Sequence, residues 1–259
     1  MAWALDLDGV LWLGRTPIPG ASEAVAALRA AGERIAFVTN NSFGRRSDVA
    51  DRLTEMGIEP GDDIVTSAMV AAGLVSSGQR VLACGGPGVT EELLRRGAEV
   101  VDASDAAATE GHFDAVVVGY HPTFDYHRMD TAAGAVRRGA HLIGTNDDAT
   151  YPMEAGIKPG GGAILASIST AAGVRAEVAG KPERPAAEHV RALLGEDGTM
   201  VGDRPDTDGR FAVALRYRFA LVLSGVTGRS ELPTDPPADL VADDLAALVG
   251  EVLGEPVRR

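Results

Sequence analysis

The sequence predicts an α/β fold: a Rossmann-like parallel sheet with helices on both faces. Two observations carry this. Short apolar runs alternate with amphipathic segments along nearly all of the 259 residues, and no period repeats. Polar residues also gather where the apolar runs stop, as expected of a sheet whose ligand crevice lies beyond the carboxyl ends of its strands.

The apolar runs predict strands at 2–7, 34–39, 80–85, 114–119, 141–146, 175–180, 199–203 and 219–225. The first helix begins near Ser22, with Val25 and Leu28 on one face. The second begins near Ser47, where Val49, Leu53 and Met56 form an i, i+4, i+7 stripe and Gly57 ends the helix. Further helices are expected at 90–96, 128–138, 162–172, 184–194, 207–217 and 243–253. The glycine-rich stretches GGPGVT (85–90) and PGGGAIL (159–165) lack a full Gly-x-Gly-x-x-Gly and read as loops leading into helices.

Composition narrows the class of function. Hydrophobic residues make up 45% of the chain, enough for a sizeable core. A formal charge of −13 without a basic block argues against nucleic acid or an anionic membrane surface as partner. The single cysteine, Cys84, fits a reducing compartment and reads as a small buried hydrophobe. No signal-peptide pattern or spanning apolar run is present, so a cytoplasmic location is expected.

Several motifs fail on inspection. A calcium loop counted from Asp6 would need Glu at its twelfth position, which is Pro17. Gly180-Lys181 ends like a P-loop, but Pro182 replaces the Ser or Thr and Arg175 the first Gly. A cysteine-phosphatase loop at Cys84 would need Arg where Thr90 stands. The five histidines show no ligand spacing, and Trp3 and Trp12 read as packing residues.

What remains is a set of strand-terminal polar residues: Asp6 and Asp8, Thr39 to Ser42, Lys181, Asp203 and, shortly after, Asp208. Two residues apart on a strand, Asp6 and Asp8 would share a face and repel. A divalent cation would offset that repulsion, and carboxylate oxygens suit magnesium. Thr39 offers a hydroxyl, the amides of Asn40 to Ser42 could cradle phosphate oxygens, and Lys181 adds a point charge. This set suits phosphoryl transfer, in which a carboxylate can also be the nucleophile.

Together these residues resemble the haloacid dehalogenase superfamily of hydrolases. DLDGVLW matches the first motif, VTNNS the second, GKP the third and GDRPDTD the fourth. The stretches VVVGYHPTFDY, IGTNDDATYP and KPGGGAILASI are similar to the branch of nitrophenyl, phosphoglycolate and sugar- or glycerol-phosphate phosphatases. The resemblance implies a catalytic core at 1–79 and 175–259 and an inserted α/β cap domain at 80–174, with hinges near Gly78 and Gly173.

It further implies a magnesium-dependent phosphatase of small phosphorylated metabolites, with Asp6 as nucleophile and Asp8 as general acid and base. Asp6, Asp203, Asp208 and the backbone carbonyl of Asp8 would serve the metal, and Thr39, Asn40 and Lys181 the phosphoryl group. Asn146, Asp147 and Tyr151 of the cap loop are candidate substrate contacts, and the cap could support a homodimer. Two departures stand out: Gly209-Arg210-Phe211 follows the fourth motif in place of the usual Ile and small residues, and His121 stands where relatives often carry an acid. A phospho-receiver module, a phosphate-binding regulatory protein and a phosphomutase use comparable residues and form the alternatives.

Overall fold

The computed structural model describes residues 1–153 and 156–254, with the side chains of Tyr151, Pro152, Met153 and Ile157 also outside the description. The chain divides into two compact units, Met1–Thr39, Ser47–Val65 and Lys181–Arg259 forming one, Asn40–Arg46 and Thr66–Gly180 the other.

The chain opens with β1 (Ala2–Leu5), a short hairpin of β2 (Trp12–Leu13) and β3 (Thr16–Pro17), α1 (Ala21–Ala30) and β4 (Arg34–Thr39). Then come α2 (Arg46–Glu55) and β5 (Ile64–Thr66). The second unit follows with α3 (Ser67–Gly73), β6 (Arg80–Cys84), α4 (Pro87–Arg95), β7 (Glu99–Asp102), β8 (Ala115–Val118), α5 (Tyr126–Arg137) and β9 (His141–Gly144). It ends with β10 (Thr150–Met153), β11 (Gly156–Pro159), α6 (Gly161–Ala172) and β12 (Glu177–Val178). The first unit resumes with α7 (Arg184–Leu194), β13 (Thr199–Gly202), α8 (Arg210–Leu215), β14 (Arg218–Val222), β15 (Leu240–Ala242) and α9 (Leu245–Leu253).

The sheet of the first unit runs β15-β14-β13-β1-β4-β5, with β1 parallel to both β13 and β4. Alternation along β1 sends Trp3 and Leu5 into one core, where they meet Val25 and Leu28 of α1 and Leu245, Leu248 and Val249 of α9. Helix α7 covers the opposite face of β1 and β4 and packs on α8. The second unit has its own parallel sheet, β12-β9-β8-β6-β7, with a core of Leu82, Val116, Val118, Leu142 and the apolar sides of α5 and α6. Its edge strand β12 is just two residues long, against the six expected at 175–180.

Two expected elements differ in instructive ways. The strand expected over 2–7 ends at Leu5, because the Leu7 carbonyl turns to accept the amides of Val10, Leu11 and Trp12 and Gly9 adopts φ +83°. The helix expected from 207 begins at Arg210 after a π-helical turn over Pro205–Gly209, and this turn sets Phe211 fully into the core. No helix among the described residues is long and apolar enough to cross a membrane.

Leu5 is fully buried at the centre of the first core. Leu5→Ala should therefore cost about 2–5 kcal/mol of unfolding free energy, read from urea denaturation.

Candidate active site

Register brings the charged residues of the first unit together. Leu5 lies opposite both Val201 of β13 and Phe37 of β4, so Asp6 and Asp203 stand just past the last paired residues and Thr39 at the end of β4, all at the carboxyl edge of the sheet. The amide of Asp6 still donates to the Val201 carbonyl at 2.9 Å, which fixes where its side chain leaves the sheet.

Lys181, where the chain re-enters this unit, is buried with its ammonium between two carboxylates. Its Nζ donates to Asp6 Oδ1 and to Asp208 Oδ1, both at 2.7 Å. Burial opposes the charged ammonium, but the carboxylates of Asp208 and Asp6 outweigh it and hold the lysine pKa above its ordinary value. Asp208 Oδ2 accepts the amides of Asp203 and Arg204, each at 3.1 Å, so both of its oxygens are engaged by the protein. Asp203 Oδ2 accepts the Val226 amide at 2.6 Å.

Asp6, Asp203 and Asp208 each place an oxygen within 4.8 Å of the others, and all three are buried. Burial pushes Asp6 well above the usual carboxylate range; Lys181 pulls it down, and Asp208 and Asp203 reinforce the rise. Burial followed by the charge of Asp208 lifts Asp203 to about 7. Such a set of hard oxygen donors, crowded and facing a single ammonium, fits a divalent cation of the magnesium type. The surrounding backbone leaves room for Asp203: a Cβ at Gly9 or Gly225 would collide with its carboxylate.

Asp8 is placed differently from its expected position on a strand. It lies beyond the bend at Leu7, in a single bridge to Trp12, and its carboxylate is not part of the three-acid group. Trp12 Nε1 donates to Asp8 Oδ1 at 3.1 Å. Burial raises the Asp8 pKa, against the charge of Arg52, the Trp12 hydrogen bond and the charge of Lys181. A raised carboxyl pKa is what a proton donor near neutrality needs.

In the second unit the predicted residues Asn40 and Asn146 meet at a residue that the sequence reading passed over. Asp148 Oδ2 accepts Asn40 Nδ2 at 2.9 Å and Asn146 Nδ2 at 2.6 Å. Ser67 Oγ donates to the Asn40 carbonyl at 2.8 Å, and Thr145 Oγ1 donates to Ser42 Oγ at 2.9 Å. Asp147 is exposed, and Tyr151 stands on β10 with its side chain outside the described residues. The acidic run TNDD was the available signal for Asp148. Its two acids look alike in sequence, and the fold alone separates the exposed one from the one that ties two asparagines.

His121 is buried with its Nε2 3.7 Å from Cys84 Sγ. Burial pushes the Cys84 thiol up to about 12, which leaves it a protonated packing group.

Residues 3–99 match the haloacid dehalogenase-like hydrolase family, and residues 178–248 match the HAD-hydrolase-like family. The chain is 34% identical over 238 residues to the acid sugar phosphatase of Staphylococcus saprophyticus, covering 89% of each protein. Its structure is similar to that of a p-nitrophenyl phosphatase from Archaeoglobus fulgidus, with TM-score 0.87, 32% identity, and 96% and 98% of the two chains covered. It is also similar to a glycerol phosphate phosphatase from Mycobacterium tuberculosis solved in complex with magnesium, with TM-score 0.84 and 34% identity, covering 95% of this chain and 75% of that one.

Lys181→Met removes the buried charge while keeping the side chain's length. It should destabilise the fold by about 3–5 kcal/mol in chemical denaturation, because Asp6 and Asp208 then lose their cation in a desolvated setting.

Proposed function

The chain belongs to the haloacid dehalogenase-like hydrolases, and from that premise we propose that it is a magnesium-dependent phosphatase of small phosphomonoesters. The observation that carries the reading is the buried group of Asp6, Lys181, Asp203 and Asp208 at the carboxyl edge of a parallel sheet, with Asp8 two residues from Asp6. Asp6, Asp203 and Asp208, together with the backbone carbonyl of Asp8, would hold the ion. When bound, magnesium offsets the repulsion among the carboxylates and favours the anionic phosphoryl group.

In this reading Thr39, the Asn40 amide and Lys181 hold the phosphoryl oxygens. An Asp6 oxygen attacks phosphorus, the bond to the leaving oxygen breaks, and Asp8 gives that oxygen its proton. Water then attacks the aspartyl-phosphate, Asp8 takes the proton back, and inorganic phosphate leaves with Asp6 regenerated. Asp208, with its oxygens fixed by Lys181 and by two amides, is held in place for its role toward the ion.

We assign substrate choice to an inserted cap at 80–174 between core segments 1–79 and 175–259, with Asn146, Asp147 and Tyr151 as its candidate contacts. The resemblance supports this, as do β6 to β9, four strands of the second sheet, which lie between Arg80 and Gly144. Sugar, glycerol, glycolate and aryl phosphates are the substrate classes proposed. A cytoplasmic location and a homodimer through the cap belong to the same proposal, and sedimentation at twice the chain mass checks the second.

Phosphate release from a panel of these esters should require magnesium, fall to background with chelator and return when magnesium is restored. Asp6→Asn should abolish turnover on every member of the panel; normal turnover would reject Asp6 as nucleophile. A short-lived phospho-enzyme is expected, whereas one stable for minutes would favour a phospho-receiver.

A further inference from the structure

We propose that Trp12 is a positioning residue for Asp8, held in place by Arg52, and that it reserves one Asp8 oxygen for proton transfer. The inference rests on the reading of Asp8 as the acid and base of a phosphatase.

Asp8 needs such help because β1 no longer supports it. The strand has ended at Leu5, and a closed loop of backbone hydrogen bonds takes over. The Gly9 amide donates to the Trp12 carbonyl at 2.7 Å, and the Trp12 amide donates to the Leu7 carbonyl at 3.2 Å. This loop brings the buried indole back over the Asp8 side chain, where Nε1 donates to Oδ1 at 3.1 Å.

The chemistry of an indole makes this contact directional. Its N–H is a donor and never an acceptor, so a carboxyl proton on Oδ1 cannot point along that line. The exchangeable proton is steered to Oδ2, which accepts from no donor among the described residues. Oδ2 then gives its proton to the leaving oxygen as the phosphorus–oxygen bond breaks, and later receives one from the attacking water.

Arg52, on α2, locks the ring from its other side. Its guanidinium carbon sits 3.9 Å from the centroid of the Trp12 ring, and its Nη2 donates to the Gly14 carbonyl at 2.5 Å. Satisfying a buried indole does not by itself explain the Asp8 contact. Trp3 is equally buried in the same core, and its Nε1 has no hydrogen-bond partner among the described residues.

The test compares two esters that differ in their need for a proton. p-Nitrophenolate leaves without one, whereas the alkoxide of glycerol 3-phosphate does not, and kcat/KM reports events up to formation of the phospho-enzyme. Trp12→Phe keeps the ring for Arg52 and removes the N–H. It should shift the ratio of the two kcat/KM values against the glycerol ester by about ten-fold or more, a fraction of what a general acid contributes. Asp8→Asn should shift the ratio further in the same direction.

A ratio within about two-fold of the unaltered protein's, whether or not both rates fall, would reduce Trp12 to packing and overturn the proposal. If Trp12→Phe does not fold, Arg52→Lys, which keeps the positive charge beside Asp8 but loses the planar guanidinium over the ring, carries the same comparison and should shift the ratio in the same sense. Hydrolysis of no member of the ester panel by the unaltered protein would instead overturn the phosphatase reading itself, and this inference with it.

Discussion

A buried ammonium between two carboxylates organises the first unit. Lys181 gives up its hydration and recovers it from Asp6 and Asp208, so neither acid can move without leaving a charge stranded. The requirement then propagates. Asp208 has a second oxygen to satisfy, and it takes the amides of Asp203 and Arg204. That demand draws the backbone into a π-helical turn, which in turn sets the direction of Asp203. Asp203 is held from its far side by the Val226 amide, and Gly9 and Gly225 leave room for it. Four loops from distant parts of the sequence are thus fixed by one cation and the hydrogen bonds it obliges.

The second unit solves a related problem with close backbone approach, an ion pair and shared hydrogen bonds. Segment 40–46 lies against the start of α4, where Gly86 and Gly88 carry no side chain and a Cβ would strike Phe43 or Gly44. The Gly88 amide donates to the Phe43 carbonyl at 3.0 Å, and Arg46 pairs with the buried Glu92 at 3.4 Å. Asp148 then ties Asn40 to Asn146. A segment without regular structure is held by glycine clearance and shared hydrogen bonds, which places Asn40 as firmly as a strand would.

Much of this was legible in the sequence because the elements that carry it are strongly patterned. RIAFVT gave β4 at 34–39 with both ends correct, and the helix expected at 184–194 is α7 with the same bounds. The acids and Lys181 were legible because strands buried on both faces admit polar residues chiefly at their ends. What escaped was short or dependent on a neighbour. β5, β7 and β15 have three or four residues each, and pairing with an adjacent strand rather than their own periodicity makes them strands. α3 consists largely of small residues with no stripe and relies on the Thr66 hydroxyl accepting the Met69 amide. Trp12 read as packing, which it is; its hydrogen bond to Asp8 depends on a bend that no periodicity encodes. The motif in which Phe211 replaces the usual small residue proved compatible with a well-filled core, because the π turn changes which direction that position faces.

The place of β1 in its sheet bears on how the protein is made. Its partner on one side, β4, follows within the first 39 residues, but its partner on the other, β13, begins at Thr199. On the ribosome the first strand therefore emerges early and waits through the synthesis of the whole second unit, whose strands are all complete by Val178. During that wait Asp6 has neither Lys181 nor the Val201 carbonyl to anchor it, and one edge of a very apolar strand is unpaired. The later-finished unit is thus the one whose strand comes first, and its closure must span a loop of more than a hundred residues. Nascent chains of this topology pass through a long interval in which one edge of β1 lacks its partner.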